Sequence, residues 1–235
     1  MEPYKILGVP GSPYTRKLVA AMRYRRLPYQ LILGSHANAP EGYPAPPVRL
    51  LPTVYFSAPD GTVEARVDTT PILEKLDSEH QDRSLRPANS LLAFIGDLIE
   101  DFADEWLTKP MFHYRWAHET DANHAGPMLV HWAMPDAPEE SAQTIATNMK
   151  ERQVSRLYVV GSTPETGPVI EASYRRILSA LANMIEQQGY CLGSRPCAAD
   201  FALFGQLTQL LSVDPTPVQI GQGGFQRVRA WMDRV

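Results

Sequence analysis

The sequence has few of the features that mark secreted, membrane-spanning or nucleic-acid-binding proteins. Its 235 residues include only two cysteines, Cys191 and Cys197, too few for a secreted disulfide framework, which favours a reducing compartment. No stretch approaches the roughly 20 apolar residues that span a bilayer, and the N-terminus lacks the pattern of a secretion signal. We therefore expect a cytoplasmic protein that does not enter membranes.

The sequence also lacks an excess of positive charge. Its formal net charge is −4 and the basic residues are spread along the chain, so we expect neither nucleic acid nor an anionic membrane surface as a partner. Hydrophobic residues make up 44%, enough to build the core of one or two domains. The expected partners are small molecules or other proteins.

The first 80 residues alternate strand and helix patterns. Apolar runs rich in strand formers cover 4–9, 29–33 and 53–57, and the last of these is predicted to form a hairpin with 62–67. One helix pattern begins at Pro13. A second covers 70–76, and Thr69 before it is available as its N-cap. The order βαβ-ββα predicts an α/β domain over residues 1–80.

Strand patterns end after a polar connector at 80–89, and helices are predicted from there on. An apolar set recurs at helical spacing, consisting of Leu91, Leu92, Ile95, Leu98, Ile99, Phe102 and Trp106. We interpret the acidic residues between them as a solvated face; these are Asp97, Glu100, Asp101, Asp104 and Glu105. Further helices are predicted over 139–160, 164–188, 197–212 and 224–234, so residues 88–235 should form an all-α helical bundle.

Ser12 stands between the first strand and the first helix. Serine is a favoured N-cap residue, and capping alone would explain it. A helix N-terminus also favours an anion such as a thiolate, to which a hydroxyl can donate one more hydrogen bond. A hydrogen bond of ~1.5–3 kcal/mol plus ~0.3–1 kcal/mol from the helix end would lower the pKa of a bound thiol by about one to three pH units.

Two other motifs suit a peptide-like ligand. A proline opens the strand in Leu51-Pro52-Thr53, and a cis bond there would turn the Leu51 backbone toward an extended ligand, although a trans proline at a strand start is the simpler alternative. Asp68 and Thr69 precede a helix, where they could hold the ammonium and carboxylate of an amino-acid group or act only as caps.

Together these motifs resemble the glutathione S-transferase family. The segments Ser-Pro-Tyr-Thr, Leu-Pro-Thr-Val and Asp-Thr-Thr-Pro-Ile-Leu-Glu-Lys-Leu, in this order of strands and helices, are similar to its thioredoxin-like N-terminal domain. The segments LGSRPCAADFALFGQL and FQRVRAWMDRV are similar to helices of its all-helical C-terminal domain. The resemblance covers nearly the whole chain and implies both domains of the fold.

The resemblance also implies roles for five residues. Ser12 matches the thiol-activating serine of serine-type members. Leu51 with a cis Pro52 matches the backbone clamp on the glutathione cysteine, and Asp68 with Thr69 matches the pair that holds the γ-glutamyl group.

Other family patterns fit less well. Tyrosine-type members use a tyrosine at the end of the first strand, but Tyr4 begins that strand and Tyr14 lies within the helix, so Ser12 is preferred. Serine and threonine replace both cysteines of the glutaredoxin motif, so dithiol chemistry is excluded at this site. In the capping box formed with Asp200, Cys197 stands where the family usually has serine or threonine. Because a thiol is a weak acceptor, this predicts a cap weaker by up to ~1 kcal/mol. Both cysteines are interpreted as structural.

The stretch 107–138 is rich in residues that suggest other sites. His113, His118, His124 and His131 lie there with Glu119, but their spacings do not repeat at three or four residues, so we expect no metal site. Several large side chains in the same stretch could line an acceptor pocket, as the family resemblance implies, or pack in the core; these are Met111, Trp116, Met128, Trp132 and Met134.

The resulting hypothesis is a homodimeric glutathione-dependent transferase with a role in detoxification. Its co-substrate is glutathione, whose thiolate attacks a small apolar electrophile, and no metal is required. Isomerisation or ether cleavage with glutathione on the same fold is one alternative. A non-catalytic binding or assembly module is another, although such a module has no need of a thiol site.

Overall fold

The N-terminal part of the molecule is built on one mixed four-stranded sheet. The computed structural model describes residues 2–235. Its strands are β1 (Tyr4–Gly8), β2 (Tyr29–Leu33), β3 (Thr53–Ser57) and β4 (Val63–Arg66), in the order β2-β1-β3-β4. β1 and β2 are parallel and the other pairs antiparallel. With the helices α1 (Pro13–Tyr24) and α2 (Thr69–Glu79), this confirms the predicted thioredoxin-like domain.

The sheet packs its apolar side chains against α1 and α2. Ile6 of β1 and Val54 of β3 lie in this core with Leu18 and Ile72 from the helices. Phe201, which belongs to the second half of the chain, is fully buried in the same core. The two halves therefore share buried apolar contacts.

Helices build the rest of the described chain, as predicted. They are α3 (Ser90–Asp101), continued by a π-helical turn (Phe102–Trp106), then α4 (Thr108–Ala117), α5 (Glu119–Ala133), α6 (Glu139–Val154), α7 (Gly167–Gln188), α8 (Ala198–Ser212), α9 (Pro215–Gln222) and α10 (Gln226–Met232). The predicted helices end at 212 and begin again at 224, so the prediction missed α9, whose first turn contains Pro215 and Pro217. None of the helices within residues 2–235 is both long and apolar enough to cross a membrane. The domain bounds 1–80 and 88–235 stay a prediction.

The predicted orientation of α3 is wrong in part. Leu91, Phe94 and Leu98 are 64%, 58% and 54% exposed, whereas the small residues Ala93 and Gly96 face the interior. Of the five acidic residues, Asp97, Asp101 and Glu105 are exposed as predicted, but Glu100 and Asp104 are buried. Both sets have exposed members, so the periodicity did not show which positions turn inward.

A close approach between α1 and α8 joins the two halves. A Cβ atom added to Gly205 of α8 would lie 2.4 Å from the carbonyl oxygen of Pro13 and 3.1 Å from Cβ of Lys17. Only glycine lets the helices come this close, and the contact positions the N-terminal end of α1, where Ser12 lies.

Candidate functional site

Ser12 is the N-cap of α1, as predicted. Its Oγ accepts a hydrogen bond from the N–H of Thr15 at 3.2 Å and donates one to the carbonyl oxygen of Leu51 at 3.3 Å. The hydroxyl therefore satisfies a free donor of the helix end and directs its own proton toward the loop before β3.

Side chains from three helices hold the loop that leads to Ser12. The carbonyl of Pro10 accepts hydrogen bonds from Arg16 Nε at 2.9 Å and from Gln209 Nε2 at 3.1 Å. The carbonyl of Gly11 accepts one from Arg115 Nη1 at 3.2 Å. Since backbone carbonyls on both residues before Ser12 are bound, the position of its hydroxyl depends on α4 and α8 as well as on α1.

Arg115 is the central member of this support. Its guanidinium is buried, with Nε 3.0 Å from both carboxylate oxygens of Asp214 and Nη2 2.8 Å from Gln209 Oε1. Burial raises the pKa of the Asp214 carboxyl and the positive charge of Arg115 opposes that rise. Sequence reasoning missed Arg115, because all its partners lie about a hundred residues away in either direction.

Helix α5 closes one side of the same loop. A Cβ atom on Gly11 would lie 2.1 Å from Cδ2 of Leu129 and 3.1 Å from the ring of Trp132, so this position requires glycine. The Arg16 guanidinium also lies over the Trp132 ring, 5.9 Å from a ring centroid. Of the large side chains predicted for a pocket or a core, Trp132 contacts the Ser12 loop, whereas Met111 and Trp116 are buried within the helical part.

The Leu51–Pro52 peptide bond is cis. Leu51 is half-buried and Pro52 is buried, and β3 begins at the next residue, Thr53, which pairs with Leu7. The Thr53 hydroxyl donates to the carbonyl of Leu50 at 2.8 Å and closes the turn. Within residues 2–235, the N–H of Leu51 has no hydrogen-bond partner.

Asp68, not Thr69, is the N-cap of α2, which corrects the sequence expectation. The Asp68 carboxylate accepts a hydrogen bond from the N–H of Thr70 at 3.1 Å, and its φ of 73° is one that aspartate tolerates better than most residues. Because Asp68 takes the cap, Thr69 becomes the first residue of the helix and is 2% exposed.

Four of the five predicted site residues line one cavity of about 830 Å³: Leu51, Pro52, Asp68 and Thr69. Its opposite wall comes from α3 and the π-helical turn and carries several carboxylates. Ser12 does not line this cavity and lies beside it, against Leu51. The structure thus brings together three segments that are distant in sequence.

Comparison with known families agrees with this geometry. The profile of the glutathione S-transferase N-terminal domain matches residues 6–84, and that of the glutathione S-transferase C-terminal domain matches residues 144–234. The chain belongs to the glutathione S-transferase family. No curated protein matches the sequence at a significant level.

Solved structures with the same fold are distant in sequence. A glutathione transferase family member from Pseudomonas fluorescens Pf-5, solved with two glutathione bound, shares 16% identity at a TM-score of 0.59, covering 99% of this chain and 88% of its own. A Methylobacterium radiotolerans glutathione S-transferase, in complex with glutathione sulfonate, shares 18% identity at a TM-score of 0.58, covering 99% of this chain and 90% of its own. A Burkholderia graminis glutathione transferase, with two glutathione molecules per subunit, shares 18% identity at a TM-score of 0.56, covering 99% of this chain and 83% of its own. At these identities the likeness shows the fold alone.

A buried cluster of charges lies beneath the cavity in this member of the glutathione S-transferase family. Lys17 is 1% exposed, and its Nζ lies 2.7 Å from Glu100 Oε1 and 2.5 Å from Asp104 Oδ2. The hydroxyl of Thr70, in the first turn of α2, donates to Glu100 Oε1 at 3.0 Å. Burial raises the pKa of the Asp104 carboxyl, and the charge of Lys17 opposes the rise. The cluster ties α1, α2 and α3 together at the cavity.

Neither tyrosine that could replace Ser12 has its hydroxyl at the loop before β3. Tyr14 donates to the carbonyl of Asp104 at 2.8 Å, and burial raises the pKa of its phenol. The Tyr4 hydroxyl lies 2.9 Å from His80 Nε2, and burial raises its pKa as well.

Asp200 supplies the capping interaction expected to be weak at Cys197. Its carboxylate accepts hydrogen bonds from the N–H groups of Cys197 and Cys191, both at 2.9 Å, and the Cys197 thiol donates to it at 3.2 Å. The thiol is thus a donor to the acid, and the carboxylate anchors two backbone groups instead of one.

Proposed function

We propose that this family member binds glutathione in an extended form across Leu51 and Pro52. The free N–H of Leu51 can pair with the cysteine backbone of the ligand, as an added strand would. Asp68, exposed at the start of α2, would bind the ammonium of the γ-glutamyl end, and the Thr69 hydroxyl with the helix N–H groups would bind its carboxylate. The solved relatives that contain glutathione support this choice of ligand.

The contact between Ser12 and Leu51 is the observation that carries the proposal. At 3.3 Å the hydrogen bond to the neutral carbonyl is long, so the hydroxyl can turn to a charged acceptor at little cost. A thiolate placed at the N-terminus of α1 would receive that hydrogen bond together with the favourable end of the helix dipole. Ser12 is therefore our candidate catalytic residue.

In the proposed reaction the glutathione thiol loses its proton to solvent, and Ser12 stabilises the thiolate that remains. The thiolate attacks an electrophilic carbon of a small apolar substrate and forms a C–S bond, while the leaving group departs with its electron pair. Ser12 acts by orientation and electrostatics and forms no covalent intermediate. Turnover of halogenated aromatics would support transfer, and turnover of maleyl-type acids or aryl ethers would redirect the proposal to isomerisation or ether cleavage.

We also propose that two copies associate through α3, in a cytoplasmic protein that acts in detoxification. The exposed residues Leu91, Phe94, Leu98 and Phe102 follow one another at helical spacing and form an apolar stripe on this helix and the start of the π-helical turn that continues it. A stripe of this kind on a folded surface favours a protein partner, and a second copy is the partner that the family implies. Both cysteines are free thiols, in keeping with a reducing compartment.

Calorimetric titration with glutathione tests the proposal. We expect one glutathione site per chain in the wild type. In Ser12→Ala the pKa of the bound thiol should be about one to two pH units higher, because the thiolate loses one hydrogen bond. Ser35→Ala is the matched control, because Ser35 also caps a short helix, accepting from Ala37 N at 3.3 Å. Absence of binding to the wild type would refute the function, while equal thiol pKa values in wild type and Ser12→Ala would refute only the role of Ser12.

A further inference from the structure

Three side chains with metal-binding atoms meet far from the Ser12 site. His113 lies on α4, His118 lies at the break between α4 and α5, and Glu171 lies on α7. Glu171 Oε1 is 3.3 Å from His113 Nε2 and 3.2 Å from His118 Nε2, and all the candidate ligand atoms lie within 4.8 Å of one another. The sequence did not predict this cluster, because the third residue comes from a helix that begins about fifty positions later.

The two distances from Glu171 Oε1 fit a tetrahedral metal centre. Zinc bonds to histidine nitrogen and carboxylate oxygen are about 2.0–2.2 Å long, which places neighbouring ligand atoms of a tetrahedron roughly 3.3–3.5 Å apart. The distances from Glu171 Oε1 to both histidines are close to this value. Three protein ligands leave a fourth position for water.

The ring of His113 is held in the orientation that such a site requires. It is 5% exposed, and its Nδ1 lies 2.7 Å from Ser162 Oγ, so the Nε2 atom points toward Glu171. A hydrogen bond on the second ring nitrogen is the usual support of a metal-binding histidine.

The buried Nε2 atom of His118 lies 3.2 Å from Glu171 Oε1, but no group among residues 2–235 forms a well-directed hydrogen bond with it. A buried polar atom whose hydrogen bond is unmade is uncommon and calls for an explanation. The His118 ring also stacks on Tyr114, with centroids 5.6 Å apart, which holds it facing the other two residues.

We propose that His113, His118 and Glu171 bind one divalent transition-metal ion, with Nε2 of each histidine and the Glu171 carboxylate as ligands. Imidazole and carboxylate together suit Zn²⁺ and its neighbours in the series, whereas Ca²⁺ and Mg²⁺ prefer oxygen alone and Cu(I) prefers sulfur. The ion would fasten the break between α4 and α5 to α7. This connection between the helices does not depend on glutathione binding.

Metal titration of the full-length protein tests this proposal. After chelator treatment and removal of any polyhistidine tag, we expect calorimetry to show one Zn²⁺ per chain and the Tm to rise with Zn²⁺ concentration. Because Zn²⁺ has no visible spectrum, Co²⁺ serves as the second probe, with the intense visible absorption of tetrahedral coordination expected. His118→Ala and Glu171→Gln should each weaken Zn²⁺ binding at least about tenfold, because removing a group that only hydrogen-bonds to a metal ligand already lowers metal affinity by about that factor.

His124→Ala is the matched control, because His124 is an exposed histidine of α5 outside the cluster. Its affinity for Zn²⁺ should equal that of the wild type. His118 is about one-third exposed, so its replacement should preserve the fold, which circular dichroism checks. The proposal is overturned if the wild type binds no stoichiometric Zn²⁺, or if His118→Ala and Glu171→Gln bind it as tightly as His124→Ala does.

Discussion

The Ser12 hydroxyl donates to the carbonyl oxygen of Leu51 at 3.3 Å, so a helix cap and the residue before a cis proline are in direct contact. The two residues are 39 positions apart in sequence. Each motif taken alone has a purely structural explanation. Their contact next to the cavity of Asp68 and Thr69 is what makes a thiol site the better hypothesis.

Replacing Ser12 by alanine should affect stability only modestly. Loss of the cap should lower the free energy of unfolding by about 1 kcal/mol, since the N–H of Thr15 loses its acceptor. Urea denaturation measures this change, with Ser35→Ala as the comparison. A loss of several kcal/mol in Ser12→Ala would mean that Ser12 is chiefly a structural residue and that its binding defects are indirect.

Lys17→Met should be strongly destabilising. The change leaves Glu100 and Asp104 buried without a cation, and breaking a buried ion pair costs about 3–5 kcal/mol. Lys75→Met is the control, because the ion pair of Lys75 with Glu79 is partly exposed and its loss should cost less than about 1 kcal/mol. Equal losses for the two variants in urea denaturation would contradict the importance assigned to the buried cluster.

Arg115→Lys should not behave as a conservative change. Lysine keeps the charge but cannot contact Asp214, Gln209 and the Gly11 carbonyl together, so we expect a loss of about 1.5–3 kcal/mol and weaker glutathione binding. In the control, Arg86→Lys alters an exposed bidentate pair with Asp97 and should cost less than about 1 kcal/mol. Normal glutathione affinity in Arg115→Lys would show that the loop does not need this support.

Both cysteines should be unreactive in the native protein. Burial and the neighbouring Asp200 raise the pKa of Cys197 to about 12, and the pKa of Cys191 is also raised, chiefly by burial. Because only the thiolate reacts, alkylation by iodoacetamide should be very slow at pH 8 and should accelerate as the pH rises toward 12. Mass spectrometry should detect both adducts only after denaturation. Rapid labelling of Cys197 in folded protein at pH 8 would be the contrary result.

Leu98→Glu should convert the proposed dimer to a monomer. The substitution puts a charge in the centre of the apolar stripe on α3, where a second copy would have to desolvate it. Val159→Glu is a suitable control, because Val159 is similarly exposed but lies outside the stripe. Sedimentation velocity distinguishes the outcomes, and a wild-type protein that sediments as a monomer would refute the assembly.

Local patterns were sufficient to predict the strands, most of the helices and the cap at Ser12, because neighbouring residues determine those features. The burial of Lys17 was not predictable, since its partners Glu100 and Asp104 lie more than eighty positions later on a helix whose orientation the pattern left undetermined. The same reason applies to Arg115, whose partners come from both ends of the chain. Residues that act through distant partners leave no local pattern, even when they support the site directly.

The position of Phe201 bears on how the protein could be divided. Its ring fills part of the core beneath the sheet, beside Tyr24, at a centroid distance of 5.6 Å. A fragment ending near residue 80 would lack this ring and keep a cavity of side-chain size. Truncating a buried aromatic side chain to alanine lowers the free energy of unfolding by about 3–5 kcal/mol. The N-terminal part therefore depends on the C-terminal part to complete its interior, so unfolding should follow a single cooperative transition and the N-terminal part is not a transferable module.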